Sequence, residues 1–223
     1  MKQEDTKKKI LEKALELFSS RGYDSVSVGE IAKAVGIKAP SLYNHYESKQ
    51  AIFDAIVEET AVEYEKYTDA IDIHVQDSGK NFDVFLTITE ELLMQKVHQI
   101  FCYSLRNKTT SRFRRMMTIE QFRSPELSAL YSKRFVERLI AYHADIFQSL
   151  IANGEIQNGN PDALAMMYVS PVITLLGVCD RQPEREAECL EKLEEHVRLF
   201  YRTFHVSQNA MPAKGKEEST CAY

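Results

Sequence analysis

Apolar residues recur every three or four positions along almost the whole chain of 223 residues, and this helical spacing limits the fold more than any other feature of the sequence. The alternating pattern of half-buried strands is almost absent. Clusters of Gly, Asn, Ser and Pro divide the periodic stretches into segments of helix length. The sequence therefore predicts an all-α protein with about nine helices.

The composition is that of an ordinary soluble protein, with 44% hydrophobic and 27% charged residues. No apolar run approaches the roughly 18 residues that a membrane span needs. The residues from Met1 to Asp5 are not followed by the apolar stretch of a signal peptide. We therefore expect a cytoplasmic protein without a membrane partner.

The sequence contains no recognisable arrangement for catalysis or metal binding. The four cysteines, Cys102, Cys179, Cys189 and Cys221, are widely spaced and form no Cys-x-x-Cys pair. This pattern indicates free thiols, no metal site and no cofactor, with redox sensing as the open alternative. A nucleophile elbow, a phosphate loop and paired carboxylates are also missing. We therefore expect a protein that is not an enzyme.

Charge is distributed unevenly along a chain whose formal net charge is -5. Residues 1–50 contain nine Lys or Arg against seven Asp or Glu, whereas the rest of the chain contains 19 against 26. A basic end on an acidic body orients a molecule toward phosphate groups. The first 50 residues are therefore the part that we expect to approach a polyanion.

Three short helices are predicted in this basic end, from Thr6 to Arg21, from Val28 to Val35 and from Ala39 to Tyr46. A capping box that begins at Ser27 opens the second helix. A turn centred on Gly36 separates the second helix from the third, because glycine adopts the left-handed conformation of a tight turn without strain. This is the helix-turn-helix arrangement, in which the second helix of the pair enters the major groove of DNA.

The predicted recognition helix carries small and polar side chains. Its surface positions are Lys38, Ala39, Pro40, Ser41, Tyr43, Asn44 and His45. The small residues at its start can approach base edges and contact a thymine methyl group. Tyr43 and His45 suit phosphate oxygens, as does Lys49 in the first turn of a fourth helix capped by Ser48. Packing of Tyr43 on the first helix, an ordinary exposed His45 and a solvated Lys49 stay open as alternatives.

A series of short segments keeps a fixed spacing over about residues 7–55. The segments are Leu15-Glu16-Leu17-Phe18, Gly22-Tyr23, Val26-Ser27-Val28, Glu30-Ile31-Ala32, Val35-Gly36-Ile37, Leu42-Tyr43-Asn44-His45-Tyr46 and Ser48-Lys49. Together they closely resemble the N-terminal DNA-binding domain of the TetR/AcrR family of transcriptional regulators. The resemblance covers about a quarter of the chain.

The resemblance implies a set of DNA contacts. Ser27 and Val28 would contact DNA at the start of the second helix, the residues from Lys38 to Ser41 would face the bases, and Tyr43, His45 and Lys49 would bind phosphates. Lys38 departs from the family, which often has a small polar capping residue there. Lys38 is therefore a candidate for a direct contact with a base or a phosphate.

The remaining chain predicts longer helices, which by resemblance form a ligand-binding and dimerisation domain. A fourth helix is predicted from the capping Ser48 toward Tyr67, and a fifth from Asn81 to Arg106. A turn from Asn107 to Ser111 leads to a shorter helix that carries Phe113 to Ile119. The last three helices are predicted from Pro125 to Ala152 after the capping Ser124, from Pro161 to Cys179 with a kink at Pro171, and from Pro183 to His205. We place the domain boundaries at 1–53, 54–206 and 207–223, the last segment being an expected disordered tail.

Two further sets of residues are assigned in this second domain. A heptad-like seam on the last two helices is expected to pair with a second copy of the chain, although an ordinary intramolecular core is the alternative. The assigned dimer residues are Met167, Val172, Leu176, Leu190, Leu193, Val197, Phe200 and Phe204. The assigned pocket residues, chosen because aromatic and Met side chains make adaptable apolar walls, are Phe85, Tyr103, Met116, Phe122, Tyr142, His143 and Met166.

The resulting hypothesis is a homodimeric regulator that binds a palindromic operator in double-stranded DNA and is released by a small-molecule effector, and the resemblance implies that it acts as a repressor. The sequence does not identify the effector. A helical small-molecule-binding protein or an enzyme without specific DNA recognition remains the alternative.

Overall fold

The computed structural model describes residues 2–74, 77, 79, 84–123, 125–157 and 159–205, and within these ranges the regular structure is helical, as the sequence predicts. We number the helices in chain order. They are α1 (Lys2–Arg21), α2 (Val28–Val35), α3 (Ala39–Tyr43), α4 (Lys49–Ala70), α5 (Glu90–Arg106), α6 (Lys108–Glu120), α7 (residues 125–152), α8 (Pro161–Arg181) and α9 (Glu186–Phe204).

Several predicted helix ends are wrong. α3 ends at Tyr43, and the N–H groups of His45 and Tyr46 both donate to the carbonyl of Leu42. α5 begins only at Glu90, because the side chain of Thr89 accepts from the N–H of Leu92 and caps the helix there.

The predicted turn between α5 and α6 is reduced to a single residue. Asn107 ends α5, and its side chain accepts from the N–H of Thr110 to start α6. α7 contains a π-helical turn at Lys133–Glu137, which spacing alone did not predict. Ser124, Cys221 and the segment 207–223 lie outside the described residues, so the predictions for them stay predictions.

The N-terminal helices share one hydrophobic core with a helix from the second half of the chain. This first core contains buried residues from α1, α2, α3 and α4, and from α6 it takes Phe113, Met116 and Met117. α4 also runs without interruption through the boundary that we predicted after residue 53. The three-helix unit is therefore packed directly onto α6.

The second half of the chain packs around α8. Its neighbours are α5, α7 and α9, and their apolar residues form two further hydrophobic clusters. A buried ion pair joins α6 to α8, with Arg114 Nη2 2.8 Å from Asp180 Oδ1 and Arg114 Nη1 donating to the carbonyl of Ser104 at 2.7 Å. α6 therefore contacts both the first core and the end of α8.

α8 is the one helix among the described residues that is long and apolar enough to cross a membrane, by length and composition alone. Our sequence analysis found no such segment. Only 28% of its most apolar window is buried inside the chain, although it packs on three helices. The helix therefore carries apolar surface that its own chain does not cover.

Candidate functional site

The start of α2 is fixed by a complete capping box. Ser27 Oγ accepts from the N–H of Glu30 at 3.2 Å, and Glu30 Oε2 accepts from the N–H of Ser27 at 2.8 Å. Arg21 also lies 2.8 Å from Glu30. The Ser27 backbone N–H and the Arg21 side chain lower the pKa of Glu30 to about 2. The Glu30 carboxylate therefore stays ionised near pH 7. Its ion pair with Arg21 links the end of α1 to the start of α2.

The turn between α2 and α3 has the backbone that the sequence predicted. Gly36 has φ of +85°, and its N–H donates to the carbonyls of Ala32 at 3.0 Å and Lys33 at 3.2 Å. Two buried side chains, Val35 before the turn and Leu42 after it, hold both helices on the first core. The orientation of α3 is therefore set by buried contacts on its inner side.

The outer side of α3 is open to solvent. The exposed residues there are Lys38, Pro40, Ser41, Tyr43 and Asn44, whereas Ala39 is half-buried against the first core. Tyr43 is 52% exposed. Lys38 precedes the helix without capping it. The structure brings these six predicted contact residues together on one short element.

The other four predicted DNA contacts lie beside this element. Ser27 is exposed at the start of α2, and Val28 is half-buried against the first core. His45 is half-buried rather than freely exposed. Its Nδ1 atom is buried and has no hydrogen-bond partner among the described residues.

Lys49 has a structural role that the sequence analysis missed. Its Nζ atom donates to the carbonyl of Tyr23 at 2.9 Å and to that of Val26 at 3.1 Å, and it lies 4.2 Å from the centre of the Tyr23 ring. An ammonium group has three N–H donors, so one is left for a phosphate. Lys49 therefore braces the loop between α1 and α2 while remaining a candidate contact.

Glu120 joins this loop to α6, and sequence reasoning also missed it. The carboxylate is completely buried, and Oε1 accepts from the N–H of Tyr23 at 2.8 Å. Gly22, with φ of +83°, passes so close that a Cβ there would lie 2.7 Å from Glu120 Oε1. No local signal could reveal this contact, because the partners are 97 positions apart.

The residues predicted for an effector pocket do not lie together. Only Phe85 and His143 line a cavity that the structure contains between α5, α7, α8 and α9. Met116 belongs to the first core, Tyr103 stacks on Tyr67 at a ring distance of 3.7 Å, and Tyr142 is half-buried without lining the cavity. Phe122 is 88% exposed, and Met166 is also exposed. These five residues do not line this cavity, because periodicity does not show which helices face each other.

The residues predicted for dimerisation separate into three groups, which are buried, half-buried and exposed. Leu193, Val197 and Phe200 are buried in the clusters of their own chain, so for these three the ordinary core is the correct interpretation. Val172, Leu176, Leu190 and Phe204 are half-buried. Met167 is 55% exposed. Leu199, which the heptad pattern did not select, is 68% exposed.

Within the described ranges, no group of three His, Cys, Asp or Glu side chains is placed to hold a metal ion. Cys102 is half-buried, and Cys179 and Cys189 are buried free thiols.

A complete capping box, a glycine turn and an exposed third helix held on a hydrophobic core define a helix-turn-helix DNA-binding protein. Residues 10–56 match the sequence model of a family described as bacterial regulatory proteins, tetR family. The N-terminal part of the chain is therefore similar to this family of transcriptional regulators.

Two curated relatives extend this match. YttP of Bacillus subtilis (strain 168), described as an HTH-type transcriptional regulator, is 26% identical over 200 residues, which cover 89% of this chain and 88% of that protein. IcaR of Staphylococcus aureus, the negative transcriptional regulator of the biofilm operon icaADBC, is 47% identical over 51 residues, which cover 23% of this chain and 27% of that protein.

Solved structures share the fold along nearly the whole chain. A TetR-family regulator from Mesorhizobium loti has a TM-score of 0.67 at 21% identity and covers 92% of this chain and 100% of its own. SmeT, the repressor of the Stenotrophomonas maltophilia multidrug efflux pump SmeDEF, has a TM-score of 0.66 in its complex with triclosan, at 16% identity, covering 94% of this chain and 96% of its own.

Proposed function

We propose that this protein is a homodimeric repressor that binds a palindromic operator and leaves it when a small-molecule effector binds. The observation that carries the proposal is the exposed face of α3, from Lys38 to Asn44, on a first core that fixes its orientation. Small side chains on this face permit close approach to base edges. The names of IcaR and SmeT, a negative regulator and a repressor, support repression.

We assign DNA binding to residues 1–53 and effector binding and dimerisation to residues 54–206, in a cytoplasmic protein without a catalytic role. The SmeT complex with triclosan supports a small-molecule ligand for the helical domain. Such a ligand releases DNA only if it binds the released conformation better than the DNA-bound one. α6 can connect the two events, because it contacts the first core on one side and Asp180 at the end of α8 on the other.

We place the dimer contact on the uncovered apolar surface of α8 and α9. Met166 and Met167 on α8 and Leu199 on α9 are all exposed. Large exposed apolar patches mark protein–protein interfaces. A second copy of the chain would bury it and would set the spacing of two α3 helices to about one turn of DNA.

The test is a gel-shift titration of the full chain on the DNA upstream of its own gene, at about 150 mM salt and without effector. We expect a specific complex that is at least about a thousandfold tighter than that with unrelated DNA. Ser41→Leu should abolish this preference, because a larger side chain at the start of α3 blocks the approach to base edges. Tyr43→Ala should weaken both complexes by a similar factor, because a phosphate contact is not sequence-specific. Equal affinity of the unmodified chain for both DNAs would contradict the proposal.

A further inference from the structure

Arg134 on α7 is a half-buried cation without an anionic partner among the described residues. Its Nη1 atom donates to the carbonyl of Val57 on α4 at 2.9 Å, and its guanidinium carbon lies 4.5 Å from the centre of the Phe113 ring. Burial lowers the pKa of Arg134 to about 10, and the neighbouring Arg138 lowers it further. Arg134 therefore stays charged near pH 7, and no carboxylate contributes to its pKa.

Arg114 on α6 shows how the same chain compensates another buried guanidinium. Its Nε and Nη2 atoms both donate to the Asp180 carboxylate, and its Nη1 atom donates to the carbonyl of Ser104. A desolvated cation is unfavourable unless an anion and hydrogen bonds replace the lost water. Arg134 has the carbonyl contact of Arg114 but lacks its carboxylate.

The backbone around Arg134 is also unusual. The residue lies in the π-helical turn at Lys133–Glu137, and such turns are rare in proteins and frequent at functional sites. Aromatic side chains surround it: Tyr64 on α4 is close enough to influence its pKa, and the ring of Phe135 lies 5.9 Å from that of Phe113. Because the side chain is only half-buried, a solute can reach it from the open side.

We propose that Arg134 binds the carboxylate of a small organic acid with an apolar body. A guanidinium has five N–H donors, and the edge formed by Nε and Nη2 donates to no described residue. This edge suits two parallel hydrogen bonds to a carboxylate. The apolar body would lie against the neighbouring aromatic rings. The proposal names the effector class of the proposed function and rests on it.

The contacts of Arg134 place this site next to the DNA-binding helices. Val57, Phe113 and Phe135 all pack in the first core, which also holds α3 through Leu42. A carboxylate that draws the guanidinium away from the Val57 carbonyl would change the packing of α4, α6 and α7 at this core. Binding at Arg134 can therefore favour a conformation in which α3 is displaced.

The test is a titration of the full chain with benzoate and, separately, with benzamide, at equal ionic strength, by calorimetry and by ligand-detected NMR. Benzamide has the same ring and nearly the same shape without the charge. We expect benzoate to bind at least about tenfold more tightly, the effect of a hydrogen-bonded contact between charged groups. Arg134→Gln should remove this difference. Arg115→Gln is the matched control and should keep it, because it removes the same charge from an exposed position on α6.

Equal binding of benzoate and benzamide to the unmodified chain would overturn the proposal, and this comparison needs no variant to fold. Loss of the difference in both variants would overturn it as well, because net charge alone would then explain the binding. Inorganic phosphate should bind more weakly than benzoate, because it has no apolar body. Tighter binding of phosphate would refute the organic acid.

The gel shift separates this result from the proposed function. A specific DNA complex without a preference for benzoate refutes the assignment of Arg134 alone. A preference for benzoate that depends on Arg134, without a specific DNA complex, supports the carboxylate site and refutes the repressor.

Discussion

At the scale of single residues, the structure gives one predicted DNA contact, Lys49, a second role. The sequence assigned Lys49 to DNA because a lysine in the first turn of a helix suits a phosphate. The structure uses two of its N–H donors on the carbonyls of Tyr23 and Val26. Lys38, in contrast, is exposed and caps nothing. Substitutions at the two lysines can therefore be compared to distinguish a lysine that stabilises the loop from one that only faces solvent.

We expect Lys49→Ala to lower the free energy of unfolding by about 1–2 kcal/mol, because two charge-assisted hydrogen bonds to the loop are lost. Lys38→Ala should leave that free energy unchanged within about 0.5 kcal/mol. Urea unfolding measures both. Identical midpoints for the two variants would show that the lysine does not brace the loop.

The residue scale also shows what the sequence could predict. Ser27 with Glu30 and the turn at Gly36 were predicted correctly, because their partners lie within three or four positions. Glu120 and Tyr23 are 97 positions apart, and Arg114 and Asp180 are 66 apart. A helical period shows which face of each helix is apolar, but not which distant face covers it. The same limit explains why five predicted pocket residues lie elsewhere.

At the scale of elements, the contact between the α1–α2 loop and the end of α6 holds the DNA-binding helices on the rest of the chain. Gly22 and Gly36 both have positive φ, +83° and +85°. A Cβ at Gly22 would lie 2.7 Å from Glu120 Oε1, whereas a Cβ at Gly36 would meet nothing within 4 Å. The two positions therefore share the backbone strain and differ in the contact.

We expect Gly36→Ala to cost about 1 kcal/mol of stability, from the left-handed backbone alone. Gly22→Ala should cost at least about 1 kcal/mol more, because the added methyl group displaces the buried Glu120 carboxylate from the N–H of Tyr23. Thermal or urea unfolding gives the difference. Equal losses at the two glycines would mean that the Glu120 contact contributes no stability.

The ion pair between α6 and α8 is the second contact at this scale. Arg114→Leu should destabilise the fold by about 3 kcal/mol, because it leaves Asp180 as a nearly buried charge without a partner. The double variant Arg114→Leu with Asp180→Leu should recover much of that loss, because neither charge then remains. Urea unfolding of the two single variants and the double variant forms a complete cycle. Simple addition of the two single losses would show that the pair is not coupled.

At the scale of the whole molecule, exposure to solvent distinguishes core residues from residues of the proposed dimer contact on α8 and α9. The heptad-like pattern in α9 selected Leu193 and Val197, but these side chains fill the cluster beneath α8 and α5. The pattern could not distinguish the two cases, because an intramolecular helix pair and an intermolecular one repeat with nearly the same spacing. Burial in the folded chain distinguishes them, and it leaves Met167 and Leu199 on the outside.

Charged substitutions should therefore have opposite effects at the two kinds of position. Met167→Glu with Leu199→Arg should give a folded monomer in sedimentation, with an unchanged helical circular dichroism spectrum, because exposed positions accept charge without disturbing the core. Such a monomer should bind a half-site weakly and lose the affinity for a full palindrome. Leu193→Glu should instead unfold the chain, because a buried carboxylate has no partner there. A folded monomer from Leu193→Glu, or an intact dimer from the paired outer substitutions, would place the interface on the other face of α9.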